Sequence, residues 1–189
     1  MPTGVPIHDV GDQLFDAAAR VLRRDGPDAL TSRAVTTEAG VAKGILHRHF
    51  ADFDTFLASL VLARIERLDG RSEALRSEAG SGTVADNLVA ALTASLDADA
   101  LAIVALVLSR RDLFARLRLT TPTGIPVLAE TTRMIAAYLT AERGLGRIAL
   151  DTDVDRLALA LVGAAHLLLA GQDTDELRDL VAAVIAVRP

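Results

Sequence analysis

The amino-acid sequence predicts an all-α protein, and three observations lead to that prediction. Hydrophobic residues make up 51% of the 189 residues but aromatic residues only 3%, so the core must consist mostly of Leu, Ala and Val. This scarcity of aromatic residues favours interdigitating helices over β-sheets, which are rich in β-branched and aromatic side chains. Apolar residues also recur at helical spacing through most of the chain, between short segments rich in Gly, Pro and Asp.

Composition also excludes several classes of function. No cysteine is present, which excludes disulfides, thiolate catalysis and cysteine-bound metal. The first residues, MPTGVPIHDVGDQ, lack the basic patch and apolar stretch of a signal peptide. The longest apolar run, from Ala100 to Leu108, is much shorter than the roughly 20 residues that span a bilayer. We therefore expect a cytoplasmic protein without membrane association.

The first predicted helix covers residues 10 to 24. Its apolar face follows the i, i+4, i+7, i+8 spacing and comprises Leu14, Ala18, Val21 and Leu22. The turn sequence Asp25-Gly26-Pro27 ends it. A short second helix follows, with Thr31 as its N-cap and with Gly40 as a residue that readily takes the left-handed conformation after a helix.

The chain then turns at residues 39 to 41 and enters a third helix at about 42 to 50. Asp52 can cap a long, regularly patterned fourth helix. The composition becomes polar and small between Gly70 and Thr83, which predicts a loop at Gly80-Ser81-Gly82 and the start of a second unit nearby. Further helices are predicted at 84 to 96, 98 to 117, 125 to 143, 153 to 170 and 174 to 187.

The last two predicted helices have broad apolar faces. That of the first comprises Val154, Leu157, Ala158, Leu161, Val162 and Ala165, and that of the second comprises Leu177, Leu180, Val181, Val184 and Ile185. A helical pair of this kind at the chain end predicts packing against a second copy, and hence a homodimer.

Basic residues concentrate in the third helix, although the whole chain carries a net charge of -5. At 100° per residue, Leu46 and Phe50 fall on one side of this helix. The other side carries Lys43, which is the only lysine of the chain, with Gly44, His47 and Arg48. Two short helices joined by a Gly-containing turn are typical of a helix-turn-helix, whose second helix enters the DNA major groove. Long cationic donors on that helix can read base edges.

Residues 31–57, TSRAVTTEAGVAKGILHRHFADFDTFL, resemble the pattern T-x-x-x-[IV]-A-x-x-A-G-V-S-x-G-x-L-Y-x-H-F-x-x-K-x-x-L of the TetR family of bacterial transcriptional regulators. The positions in register are Thr31, Val35, Ala39, Gly40, Val41, Gly44, Leu46, His49 and Phe50. The resemblance extends over about residues 10 to 68. It implies a homodimer in which two recognition helices occupy successive major grooves, about 34–36 Å apart, and in which an effector bound among the middle helices changes that separation.

Four positions depart from the family pattern. Thr36 stands in place of a small alanine, and Ala42 in place of the serine that caps the recognition helix. His47 replaces a tyrosine, and Phe53 replaces a lysine that lies near phosphate in relatives. Loss of a serine cap typically costs about 1 kcal/mol, and loss of the lysine removes about one phosphate contact per subunit. Weakened DNA recognition is therefore an alternative that these four departures leave open.

The candidate DNA-contacting residues divide by role. The residues assigned to base reading are Lys43, Gly44 and Arg48, and those assigned to positioning on the backbone are Thr31, Arg33, His47 and His49. The alternative for Lys43 and Arg48 is an ordinary solvated helix face, and for Arg33 and Thr31 a surface charge and a helix cap. A metal site is not expected, because His47 and His49, at i and i+2, point to different helix faces.

The second half of the chain contains the candidates for a ligand pocket, namely Phe114, Met134, Tyr138 and His166. Core filling is the alternative for the first three, and a hydrogen-bonded core or interface histidine is the alternative for His166. The apolar, aromatic-poor composition favours a lipophilic ligand. No Gly-rich phosphate loop, G-x-S-x-G elbow or H-E-x-x-H motif occurs, so we expect neither an enzyme nor a cofactor or metal.

The predicted organisation is a flexible tail at 1–8, a helix-turn-helix DNA-binding domain at 9–51 with its fourth helix continuing to about 68, and a helical ligand-binding and dimerisation domain at 69–189. The predicted function is transcriptional regulation by a repressor that a lipophilic effector releases from double-stranded operator DNA. One alternative is a dimeric ligand- or protein-binding module with weakened or lost DNA binding, favoured by Phe53 and by a net charge of -2 over residues 1–70. The other is a helical enzyme.

Overall fold

The structure, a computed structural model, describes residues 7–121 and 124–186. All regular elements in these ranges are helical, which confirms the all-α prediction. The α-helices are α1 Ile7–Asp25, α2 Ser32–Glu38, α3 Gly44–His49, α4 Phe53–Ser77, α5 Val84–Ser95, α6 Ala98–Ser109, α7 Arg111–Leu117, α8 Pro126–Gly144, α9 Val154–Ala170 and α10 Thr174–Ala186. Most of the predicted tail, residues 1–6, and the predicted helix end at 187 lie outside the described residues.

The chain forms two compact units, and α4 and α6 contribute residues to both. The first unit comprises Met1–Ala63 and Ala102–Pro122, and the second comprises Arg64–Leu101 and Thr123–Pro189. The first unit thus includes a segment from the middle of the chain that composition alone assigned to the second domain.

The core of the first unit forms around the predicted apolar face of α1. Leu14 and Ala18 are fully buried, and Val21 and Leu22 are nearly so. Other elements of the unit contribute Leu30, Val35, Leu46, Phe56, Leu57 and Val61, all at most 1% exposed. Burial of each large side chain stabilises the fold by about 1.5–3 kcal/mol, so short helices such as α2 and α3 are held by packing rather than by their own propensity.

The core of the second unit is formed by α5, α8, α9 and α10 together with the end of α4. Its fully buried members include Leu88, Leu92, Ile135, Tyr138, Leu139, Ala158, Ala165, Leu177 and Val181. Most of the apolar face predicted for α9 therefore packs within this unit. A different side of α9 is left exposed, with Leu159 and Leu167 at 64% and 73% exposure.

The predicted loop at residues 80–82 is confirmed, but the predicted end of the fourth helix at about residue 68 is wrong, because α4 continues past Gly70 to Ser77. One glycine inside a helix costs about 1 kcal/mol, whereas burial of Leu75, which is 6% exposed, contributes about 1.5–3 kcal/mol. The Arg71 guanidinium also donates to the carbonyl of Ala94. Packing against α5 therefore outweighs the local signal for a break.

The single helix predicted over 98–117 is also wrong, because α6 and α7 are separate helices. Arg110 between them has extended backbone angles, φ -120° and ψ 98°. Its carbonyl accepts from the amide of Phe114 at 3.0 Å and so starts α7. Its side chain bonds to a distant carbonyl, that of Leu30, at 2.9 Å, a contact that the local sequence does not encode.

Within residues 7–121 and 124–186, no single helix is both long and apolar enough to cross a membrane. Only α5 and α6 taken together meet the length and composition required, and a bend of 58° separates them.

Candidate nucleic-acid interface

Local hydrogen bonds define both ends of α2. The Thr31 hydroxyl accepts from the amide of Ala34 at 3.1 Å, as an N-cap does. At the other end, Gly40 has a φ of 67°, its amide donates to the carbonyl of Thr37 at 3.1 Å, and the amide of Val41 donates to that of Thr36 at 3.0 Å. This pair of bonds is a Schellman motif. The predicted cap and the predicted left-handed glycine are both confirmed.

The helix α3 presents two chemically different faces. Leu46 is fully buried, whereas Lys43, Gly44, His47 and Arg48 are exposed and His49 is half-buried. The N-terminus of α3 has no side-chain cap, which agrees with the presence of alanine at position 42. A buried leucine opposite an exposed basic face confirms the predicted amphipathic character of the third helix.

Three aromatic contacts join the end of α3 and the start of α4 to the core of the first unit. The Phe50 ring lies 5.9 Å from that of Phe15 on α1 and 5.1 Å from that of Phe56 on α4. The Phe53 ring stacks on Phe56 with centroids 5.7 Å apart. Aromatic pairs at these separations add about 0.5–1.5 kcal/mol beyond area burial. Phe53 therefore packs within this aromatic cluster, where the family pattern has a lysine.

The buried polar residue of α2 is also satisfied locally. Thr36 is 2% exposed, and its hydroxyl donates to the carbonyl of Ser32 at 2.9 Å. The threonine that replaces the family's alanine is therefore accommodated by a bond to the helix backbone, without an unpaired hydroxyl.

Two arginines of α1 differ in their pairing from the cations of α2 and α3. Arg20 and Arg24 on α1 pair with Glu38 at 2.8 and 2.9 Å, and these guanidinium donors lower the pKa of the Glu38 carboxyl. By contrast, no ion pair within the described residues involves Arg33, Lys43 or Arg48. Glu38 thus neutralises two arginines of α1, whereas the exposed side chains of Arg33 on α2 and of Lys43 and Arg48 at α3 carry no ion pair in the part of the chain that the structure describes.

The structure places all seven predicted DNA-contacting residues on the α2–α3 unit. Thr31 and Arg33 lie at the exposed start of α2. The remaining five belong to α3 or immediately precede it. Their arrangement agrees with the helix-turn-helix predicted from the sequence, and their individual roles remain predictions.

Residues 14–59 match the family model described as bacterial regulatory proteins, tetR family. This segment belongs to the TetR family. The match covers the same helix-turn-helix and the start of α4, and it confirms the resemblance inferred from residues 31–57. No curated protein matches the chain.

Solved structures show that the TetR-like fold extends over the rest of the chain. A TetR-family regulator from Rhodococcus sp. is 22% identical, with a TM-score of 0.67 over 96% of this chain and 98% of its own. Bacillus subtilis FadR in complex with stearoyl-CoA is 19% identical, with a TM-score of 0.66 over 93% and 96%. A regulator from Saccharomonospora viridis in complex with choline is 18% identical, with a TM-score of 0.69 over 96% and 97%.

The second unit contains a cavity of about 210 Å³ between α4, α5 and α8. Its walls are mostly small and apolar, with polar groups at the rim. The lining residues are Arg71, Ala74, Leu75, Glu78, Asn87, Ala90, Ala91, Ala94, Ser95 and Met134. Sequence reasoning found only Met134 among them, because alanines and half-exposed polar residues on helices have no distinctive pattern.

The four predicted pocket residues are not brought together. Met134 lines the cavity. Tyr138 does not, but its hydroxyl accepts a hydrogen bond at 3.0 Å from the amide of Asn87, which is a lining residue. His166 is half-buried on α9 and does not line the cavity. Phe114 belongs to the first unit, where the Arg118 guanidinium lies 5.7 Å from its ring centroid.

A buried carboxylate in the second unit was missed by sequence reasoning. Glu142 is fully buried and accepts from the Tyr138 hydroxyl at 2.6 Å and from the Gly80 amide at 3.3 Å. Arg147 pairs with it at 3.2 Å and also donates to the carbonyl of Gly82. Burial, with the Glu142 carboxylate beside it, raises the pKa of the Tyr138 phenol. This network holds the α4–α5 loop against the end of α8.

No group of three or more metal-ligating side chains occurs in the described part of the chain.

A Gly44→Ala variant separates fold stability from DNA contact. A Cβ at position 44 would meet no atom within 4 Å, and alanine is favoured over glycine in a helix by up to about 1 kcal/mol. We therefore expect the variant to keep or raise its melting temperature in circular dichroism. If Gly44 approaches DNA closely, the variant should bind DNA more weakly than the unmodified chain in fluorescence anisotropy. Equal affinity of both proteins would remove Gly44 from the interface.

Proposed function

We propose that this chain is a DNA-binding transcriptional regulator, a repressor that a small-molecule effector releases from its operator. The observation that supports it best is the exposed face of α3, where Lys43 and Arg48 stand without ion-pair partners within the described residues. Elsewhere in the first unit, carboxylates neutralise the arginines of α1. Cations left free in an acidic protein are available for phosphates and base edges, which supports DNA contact at this face.

DNA binding of this kind needs two copies of the chain. One α3 offers few cations, and a two-fold dimer would present two such helices to successive major grooves, about 34–36 Å apart. The exposed apolar side of α9, with Leu159, Gly163 and Leu167, supports a homodimer through the last two helices. Glycine at its centre allows close approach of a second helix, and leucines left exposed would gain from burial.

Selection of bound fragments from random and genomic DNA tests the proposed function directly. The full chain is incubated with the fragment pool, and bound DNA is recovered and sequenced over successive rounds. The expected result is enrichment of a motif with two related half-sites spaced by one helical turn or a multiple of it. No enrichment, together with no mobility shift on any duplex at low salt, would refute DNA binding.

The second candidate is a dimeric ligand- or protein-binding module that does not bind DNA. The aromatic packing of Phe53 favours it, since a lysine that contacts phosphate in the family pattern is replaced by a half-buried phenylalanine of the aromatic cluster. The net charge of -2 over residues 1–70 also opposes approach to DNA. The low-salt mobility shift separates the two candidates, because electrostatic attraction is strongest there.

The cavity between α4, α5 and α8 is the proposed effector site. Its volume of about 210 Å³ lies below the roughly 300–1,000 Å³ of sites for drug-sized ligands, so the effector is small. Alanines and Met134 supply an apolar wall, whereas the guanidinium of Arg71 offers hydrogen-bond donors. A short lipophilic molecule that carries one acceptor or acidic group fits this chemistry.

Thermal-shift measurements test the effector site. We expect octanoate or a short-chain lactone to raise the melting temperature, because a ligand at 100 times its Kd stabilises the folded state by about 2.7 kcal/mol. Succinate, which is acidic but not lipophilic, should have no effect. Ala90→Leu, which fills the cavity from an exposed position, should abolish the shift. Stabilisation by succinate alone, or an undiminished shift in the variant, would contradict the assignment.

A further inference from the structure

Arg110, at the break between α6 and α7, contacts the segment that leads into the helix-turn-helix. Its Nη2 atom lies 2.9 Å from the carbonyl oxygen of Leu30 and 3.5 Å from that of Pro27. The carbonyl of Leu30 immediately precedes Thr31, the N-cap of α2. Because the donor is charged, these bonds are stronger than those between neutral groups. Arg110 therefore holds the chain at the point where it enters α2.

The same guanidinium also contacts the segment that leaves the helix-turn-helix. Its central carbon lies 5.9 Å from the centroid of the Phe53 ring, within the range of a cation–π interaction. Phe53 is the first residue of α4 and stacks on Phe56. One side chain thus reaches both the entrance of α2 and the exit of α3.

A second contact from α7 strengthens the same connection. Arg116 donates to the Thr55 hydroxyl at 3.0 Å, and the amide of Thr55 in turn donates to the Asp52 carboxylate that caps α4, at 2.6 Å. The Thr55 bonds, followed by the nearby Arg116 charge, lower the pKa of the Asp52 carboxyl. The start of α4 is therefore tied to α7 at two points.

We propose that Arg110 is a positioning residue for DNA recognition, which sets the placement of α2 and α3 from the α6–α7 corner without touching DNA. Displacement of this corner would withdraw one donor from the start of α2 and one cation from the start of α4 together. The proposal rests on the proposed function. It also explains the phenylalanine at position 53: where the family pattern has a lysine near phosphate, this chain has a ring that contacts Arg110.

Three variants of the full chain test this inference. Arg110→Gln removes the positive charge and the planar guanidinium group. Arg110→Lys keeps the charge but not the guanidinium group, and Arg111→Gln is the matched control. Arg111 is exposed and has no ion-pair or hydrogen-bond partner among the described residues. Affinity is measured by fluorescence anisotropy on a labelled duplex recovered by the selection described above, over a range of salt concentrations. Hydrogen–deuterium exchange is measured in the absence of DNA.

We expect Arg110→Gln to weaken DNA binding about tenfold, which corresponds to about 1.4 kcal/mol, with an unchanged slope of affinity against salt because no phosphate contact is lost. Amides at residues 26–55 should exchange faster, and those of the second unit should not. Arg110→Lys should recover most of the affinity, and Arg111→Gln should stay within about twofold of the unmodified chain.

Equal affinity and equal exchange in the Arg110→Gln and Arg111→Gln proteins would overturn the inference, as would a reduced salt slope in the former. If Arg110→Gln does not fold, Phe53→Leu removes the ring contact with Arg110, together with the stacking on Phe56, and should weaken binding about threefold. An unmodified chain that binds no DNA refutes the proposed function, and the exchange at residues 26–55 then still decides whether Arg110 positions the helix-turn-helix.

Discussion

A double variant, Lys43→Ala with Arg48→Ala, is expected to bind selected DNA about 100-fold more weakly than the unmodified chain. A good base contact contributes about 1–3 kcal/mol, and 2.8 kcal/mol corresponds to about 100-fold. Both side chains are exposed on α3 and no ion pair within the described residues restrains them. Fluorescence anisotropy with a labelled duplex, at one fixed salt concentration and then across a salt series, measures the loss.

The matched control removes two arginines from elsewhere. Arg67 on α4 and Arg111 on α7 are exposed and, in the described part of the chain, carry no ion pair. Their double alanine variant changes net charge by the same amount and should lose less than about threefold in affinity, because exposed charges that do not contact DNA are screened by salt. Similar losses in both double variants would mean that net charge, rather than the α3 face, governs binding.

Replacement of Glu142 by alanine is expected to lower the free energy of unfolding by about 3 kcal/mol. Removal of one partner from a buried ion pair typically costs about 3–5 kcal/mol, and the lower end applies because Arg147 is 28% exposed. The Tyr138 hydroxyl and the Gly80 amide also lose an acceptor. Urea denaturation followed by circular dichroism, at fixed protein concentration, gives the difference.

Two further variants identify the cause of this destabilisation. Tyr138→Phe removes two hydrogen bonds, the one donated to Glu142 and the one accepted from Asn87, and should cost about 1–2 kcal/mol. Glu66→Ala removes a carboxylate that is exposed on α4 and should change stability by less than about 0.5 kcal/mol. If Glu142→Ala were no more destabilising than Glu66→Ala, the buried network would not contribute to the stability of the second unit.

The helix-turn-helix could be predicted in detail because its signals are local. Thr31 caps a helix that begins one residue later, Gly40 ends it, and the amide of Val41 closes the turn onto Thr36. Each bond joins residues no more than five apart in the chain, so their identities and spacing are sufficient to specify the geometry. The same holds for the exposed side of α3, which follows from helical periodicity once Leu46 is buried.

Other parts of the chain were less predictable because their polar contacts are not local. The Gly80 amide meets Glu142 across 62 positions, and Arg110 meets Leu30 across 80. A glutamate within an alanine-rich helix and an arginine between two helices look like ordinary surface residues in sequence. The cavity has the same character, since its walls come from three helices.

The amino-acid sequence by itself determined the all-α architecture, the two caps of α2, the turn and the basic face of α3, because each depends on composition or on neighbours within one or two helical turns. Only the tertiary structure decided that α4 continues past Gly70, that Arg110 divides α6 from α7, and that Glu142 is buried. In these cases packing energy and hydrogen bonds between distant segments outweigh local preferences. Such contacts exist only after the chain has folded.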